Sequence, residues 1–210
     1  MRVRVKICGI TRSEDARLAV SLGADALGFI FWPGSPRAIA ADLAKSIVDA
    51  VPRSVTRVGV FVDALPDDVA WLVSRVGLDA VQLHGQEEIR PFEGVGATLV
   101  KAVRLETDRD VERAAALPDF VTLLVDAADR RLPGGTGRQA DWQRAARLAA
   151  GRPIMLAGGL DAGNVADAVR TVRPWAVDVS SGVERYPGIK DPERLTRFFE
   201  AIAGVGEESS

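Results

Sequence analysis

The chain has 210 residues, 47% of them apolar and 27% charged, with a formal charge of −2, one Cys and one His. The apolar share is that of a globular domain with a single core. One Cys and one His exclude a disulfide framework and a Cys- or His-rich metal site, and the near-neutral balance leaves no footprint for nucleic acid or an anionic membrane. No apolar run approaches the ~20 residues of a membrane span, and the opening MRVRVKICGITRSED has no apolar stretch of the signal-peptide kind, so a cytoplasmic protein is expected.

Short β-branched or apolar runs, each closed by Gly or a polar residue, predict strands at 3–7, 26–31, 57–62, 80–83, 98–103, 121–125, 153–157 and 176–180. Between them lie stretches with helical spacing. The first, 13–23, opens on Ser13 as an N-cap and stops at Gly23. Others follow at 42–51, 66–77, 110–117, 141–151, 164–172 and 191–204. The interval 85–96 is the weakest helix because Pro91 falls inside it. No linker or second domain is evident. One domain over 1–205 is expected, with 206–210, GEESS, as a frayed tail.

Strands alternating with helices mean βαβ units and a parallel sheet. Eight units at roughly 26 residues each predict an α/β fold, a single-domain (β/α)8 TIM barrel of eight parallel strands near the ~200-residue lower limit of that architecture. A doubly wound sheet is the alternative, but its central strands, covered on both faces, would be continuously apolar. Here several alternate. Val3, Val5 and Ile7 oppose Arg4, Lys6 and Cys8; Val177 and Val179 oppose Asp178 and Ser180; Val58, Val60 and Val62 oppose Arg57, Gly59 and Phe61. With the apolar faces turned outward onto the helices, Lys6, Cys8, Lys101, Asp126 and Asp178 would point into the lumen, where charges must be paired or close to water.

A βα-barrel carries its site at the C-terminal ends of its strands. There this sequence places Cys8, Asp63, His84, Asp126, Gly158, Gly159, Ser180, Ser181 and Gly182. Glycine clusters follow strand 6 (PGGTG, 133–137), strand 7 and strand 8. Bare backbone N–H groups and helix N-termini there suit a phosphate, with Ser180 and Ser181 as extra donors; tight turns alone are the plainer reading. The P-loop spacing is absent. Cys8 is either a small buried apolar residue or a functional thiol. Asp126 either caps a turn or does chemistry. His84 reads as a hydrogen-bonded wall residue rather than a metal ligand. Arg37, in a loop stiffened by Pro33 and Pro36, is either solvated or a fork for a carboxylate.

The blocks KICGIT (6–11), GFIFWPGSPR (28–37), VGVF (58–61), QLHG (82–85), LLVDA (123–127), GGTG (134–137), LAGGL (156–160), DVSSGVE (178–184) and PGIKD (187–191) resemble those of the phosphoribosylanthranilate isomerase family, in that order and over nearly the whole chain. The resemblance implies an Amadori rearrangement of N-(5-phosphoribosyl)anthranilate in tryptophan biosynthesis. It implies Asp126 as general acid and Cys8 as general base. The phosphate would lie on Gly135, Thr136, Gly137, Gly158, Gly159, Ser180, Ser181 and Gly182, with Arg37 on the anthranilate carboxylate and His84 beside the substrate. It implies no cofactor and no metal. The only expected partner is a small phosphorylated substrate, and a monomer or a homodimer is expected. Arg130 and Arg131 read as solvated, and Asp178 as structural. Lys6, one pleat repeat before Cys8, is expected to favour its thiolate.

Rival readings are a phosphosugar barrel of the indole-glycerol-phosphate synthase kind, for which Lys101 would matter, a ribulose-phosphate epimerase, which would want more His, and a non-catalytic phospholigand-binding barrel.

Overall fold

The computed structural model describes residues 2–126 and 139–207, and the glycine cluster at 133–137 with Arg130 and Arg131 lies outside the described residues. Eight parallel strands form a closed barrel in chain order. They are β1 (Arg4–Cys8), β2 (Ala26–Ile30), β3 (Thr56–Phe61), β4 (Ala80–Leu83), β5 (Thr98–Val103), β6 (Thr122–Asp126), β7 (Ile154–Ala157) and β8 (Ala176–Val179). Around them run α1 (Ser13–Ser21), α2 (Ala41–Asp49), α3 (Pro66–Leu72), α4 (Asp108–Ala115), α5 (Gln139–Ala149), α6 (Val165–Val172) and α7 (Pro192–Glu207). None of the described helices is long and apolar enough to cross a membrane.

The helices form for local reasons and stay because each buries one stripe. In α6 the buried residues Val165, Ala168, Val169 and Val172 recur at helical spacing, and α2 buries Ala44, Ile47 and Val48 in the same way. Three details differ from the sequence reading. Ser13 is the first helical residue of α1; Arg12 is the N-cap, and no side chain caps it. The interval after β4 holds only a 3-10 turn, Arg90–Phe92, because Pro91 has no N–H to carry a longer helix. After β8 comes a hairpin the sequence reading lacked, β9 (Glu184–Tyr186) with β10 (Ile189–Lys190).

The best-defined helix start is that of α4. Thr107 accepts from the Asp110 N–H at 3.3 Å, and the Asp110 carboxylate accepts from the Thr107 N–H at 2.8 Å, a capping box. Thr107→Ala is expected to lower stability by about 1 kcal/mol, read as a shift in the urea midpoint at constant slope, with catalysis unaffected.

Apolar side chains pack in two separate bodies. The larger lies between strands and helices. The smaller fills the lumen with Val58, Ala80, Val100, Leu124, Met155, Ala157 and Ala176. Its existence corrects the reading of β3. The Val58 and Val60 face turns inward, and Phe61 belongs to the outer core. An apolar face need not be the outer one when the lumen is itself packed. Lys101 is likewise misplaced by the sequence reading. It shares its pleat face with Leu99 of the outer core, not with lumenal Val100.

Candidate active site

The pleat alternation of period two carries polar groups up the inner wall. Lys6 and Cys8 share the inner face of β1; Gln82, and His84 just beyond the strand, continue the Ala80 face of β4. Asp126 continues the Leu124 face of β6, and Asp178 the Ala176 face of β8. They meet at the C-terminal mouth around a cavity of about 860 Å³ lined by Cys8, Arg37, His84, Asp126, Gly158, Gly159, Ser180 and Ser181, among others. Every predicted site residue within the described part except Gly182 lines this cavity. Gly135, Thr136 and Gly137 lie outside the described residues.

The two proposed proton-transfer groups have different surroundings. Cys8 is buried, and Asp126 at the end of β6 is partly open to solvent. The thiol pKa is pushed up, first by burial; Lys6 pulls it down, Asp178 pushes it up again and Lys190 pulls it down. Lys6 does favour the thiolate, as the sequence reading expects, but its charge is shared. Lys6 Nζ donates to Asp178 Oδ1 at 2.9 Å, both residues being buried and paired in the β1–β8 register. Burial opposes the Lys6 ammonium, yet Asp178 and Cys8 outweigh it and hold the lysine pKa above its ordinary value. Gly28 on the neighbouring strand makes room for this group: a Cβ there would lie 2.8 Å from Cys8 Sγ and 3.1 Å from Lys6 Nζ.

His84 is a wall residue of the mouth. Gln82 Nε2 is 3.0 Å from His84 Nδ1. A Gln82 amide donating there puts the ring proton on Nε2, which faces Asp126 Oδ2 at 3.6 Å. Lys101 reaches across the end of β4 instead of into the lumen. It donates to the Gly85 carbonyl at 2.8 Å and to Glu87 at 3.1 Å, and so serves the loop wall rather than the strand-end position the synthase reading needs.

The loops after β7 and β8 abut. Gly158 and Gly159 have φ of +92° and +64°, the left-handed region where a side chain is strained. Gly182 is not on the cavity wall; a Cβ there would run into the Leu160 carbonyl oxygen, so its bare backbone lets the two loops touch. Ser181–Val183 forms a 3-10 turn at this point. Ser180 Oγ is buried without a hydrogen-bond partner among the described residues, which leaves its hydroxyl unassigned as a donor.

Arg37 is not solvated. Its Nε lies 3.0 Å from each Glu184 oxygen, and Nη2 donates to Oε2 at 2.7 Å. Burial pushes the Glu184 carboxyl up, but Arg37 and Lys190 overcome it and hold the pKa below the usual range. Glu184 and Lys190 were missed as site residues. Both lie inside quoted blocks, DVSSGVE and PGIKD, but nothing in their spacing pairs them with a residue near the other end of the chain.

The fold and this mouth define a (β/α)8 barrel that gathers a thiol, a carboxyl, an imidazole and a guanidinium at its C-terminal rim. Residues 5–201 match the family model described as N-(5'phosphoribosyl)anthranilate (PRA) isomerase. The N-(5'-phosphoribosyl)anthranilate isomerase of Acidithiobacillus ferrooxidans is 47% identical over 204 residues, 97% of this chain and 98% of that one. The crystal structure of phosphoribosyl anthranilate isomerase from Thermotoga maritima is similar with a TM-score of 0.89 at 41% identity, covering 96% of this chain and 99% of that one. Another, in complex with reduced 1-(o-carboxyphenylamino)-1-deoxyribulose 5-phosphate, has a TM-score of 0.85 at 41% identity over 96% and 99% of the two chains. The chain belongs to the N-(5'-phosphoribosyl)anthranilate isomerase family.

Proposed function

We propose that this protein isomerises N-(5-phosphoribosyl)anthranilate to 1-(2-carboxyphenylamino)-1-deoxyribulose 5-phosphate, the Amadori step of tryptophan biosynthesis. The observation that carries the reading is the convergence of Cys8, Asp126 and Arg37 on one glycine-rimmed mouth in a chain of this family.

Asp126, as the acid, gives its proton to the furanose ring oxygen. The C1′–O bond breaks and a protonated Schiff base forms. Cys8, as thiolate, takes the C2′ proton, and the electron pair moves into the C1′–C2′ bond to give an enolamine. A proton then returns to C1′ while the C2′ hydroxyl gives up its own, which yields the aminoketose and restores the starting forms of Cys8 and Asp126. No atom is gained or lost, and no electron leaves the substrate.

The other end of the substrate needs two anion sites. The phosphate is assigned to the abutting loops, with Gly158, Gly159 and Ser181 offering backbone N–H groups and Gly182 letting the loops meet. The anthranilate carboxylate is assigned to the edge of Arg37 that Glu184 leaves open. A biosynthetic step on a small phosphorylated metabolite fits a cytoplasmic enzyme.

Purified protein is expected to consume phosphoribosylanthranilate in a continuous assay of its fluorescence, at a rate proportional to enzyme. Absence of turnover with intact substrate overturns the reading.

A further inference from the structure

Glu184 and Lys190 belong to the β9–β10 hairpin, which is packed behind the mouth. Neither lines the cavity, and both are buried, at 5% and 3% exposure. They nevertheless join every element that the proposed chemistry uses on this side of the barrel. The Glu184 carboxylate receives Arg37, the Gly188 N–H at 3.2 Å and Lys190 Nζ at 2.9 Å. The same Lys190 ammonium donates to the Cys8 carbonyl at 2.6 Å and the Ser180 carbonyl at 3.2 Å. The Lys190 N–H is in turn held by buried Asp15 of α1 at 3.0 Å.

Two features of this cluster go beyond structural support. The first is orientation. Glu184 takes Nε and Nη2, one side of the guanidinium. The plane is thereby fixed, and the end formed by Nη1 and the second hydrogen of Nη2 remains to receive another planar anion. The second is connection: the same Lys190 ammonium bonds the Glu184 carboxylate and the Cys8 carbonyl, so the group that holds Arg37 is tied to the strand that carries the thiol.

We propose that Glu184 and Lys190 are positioning residues: Glu184 aims Arg37 at the substrate carboxylate, and Lys190 ties that anion site to the backbone of Cys8. This rests on the isomerase reading above. It adds that the distance between carboxylate site and base is set from behind by one buried hairpin.

The test is a double-mutant cycle in the phosphoribosylanthranilate assay, with thermal unfolding of each variant. Glu184→Gln keeps shape and loses the charge that holds Arg37. KM is expected to rise about tenfold while kcat changes less than about threefold, as for a lost charge-assisted contact made equally to substrate and transition state. In an Arg37→Ala background, Glu184→Gln is expected to add nothing to KM, because its effect passes through Arg37. Lys190→Met is expected to lower kcat by about tenfold or more, since the Cys8 carbonyl loses its donor and the base shifts.

If Glu184→Gln does not fold, Glu184→Asp keeps the charge one methylene shorter and is expected to show the same KM-dominated loss in milder form. A folded Glu184→Gln (or Glu184→Asp in its place) with unchanged KM overturns the proposal, as does an effect that adds fully to Arg37→Ala. In either case wild-type turnover leaves the isomerase reading standing. No turnover by the wild type overturns both.

Discussion

Cys8→Ala and Asp126→Ala are each expected to lower kcat by about 10²–10⁴-fold, the span for removing one positioned proton-transfer group. Both retain binding of the reduced product analogue, because the anion sites are built from other residues. Full activity in both variants sinks the acid–base assignment. The size of the effect follows from the unusual protonation state the reaction needs. Ordinary values, about 8.5 for a thiol and about 3.9 for a carboxyl, make the neutral-pH pair thiol plus carboxylate. The chemistry wants thiolate plus carboxylic acid. Both forms hold one proton, so the reactive one is a tautomer of the abundant one, populated on the order of one part in 10⁴–10⁵ with those reference values. Activity therefore rises as the carboxyl loses its proton and falls again as the thiol loses its own. The raised Cys8 pKa places that falling limb above the ordinary thiol range.

The second large effect lies beneath the pair. Lys6→Met leaves Asp178 buried without its cation, and Asp178→Asn leaves Lys6 buried without its anion. Each is expected to cost about 3–5 kcal/mol in urea unfolding, whereas the double variant recovers much of the loss. Their effects on the pH–rate profile have opposite signs. Lys6 pulls the Cys8 pKa down and Asp178 pushes it up. Lys6→Met therefore moves the alkaline limb to higher pH and lowers the plateau. Asp178→Asn moves the limb to lower pH and raises the plateau per folded molecule. Each unit of change in the thiol pKa alters the reactive tautomer tenfold. Unchanged profiles in both folded variants would show that the buried pair does not act on Cys8.

All eight strands were legible to within a residue or two, because each is a short β-branched run ended by glycine or a polar residue. That Cys8, Asp126, Gly158 and Gly159 share one mouth was legible because they sit at strand ends, where position alone carries meaning. What escaped was whatever depends on a partner far along the chain. Glu184 holds an arginine 147 residues away, and Lys190 a carbonyl 182 residues away. No periodicity reports such pairs. The hairpin that carries them is three residues against two, too short to show alternation. The inner face of β3 and the side taken by Lys101 were misread for one common reason. The rule that apolar faces turn outward ignores that a barrel of this size fills its own interior.

The β1–β8 junction is where the first strand meets the last. The Lys6–Asp178 bond, the Lys190 bond to the Cys8 carbonyl and the Thr11 bond to the Gly188 carbonyl all cross it. Contacts that surround Cys8 thus also fasten the ring shut. A chain emerging from the ribosome can hold seven strands and still lack Asp178 and Lys190, which act on the thiol alongside burial and Lys6. The full surroundings of the thiol are therefore complete only once the ring is closed.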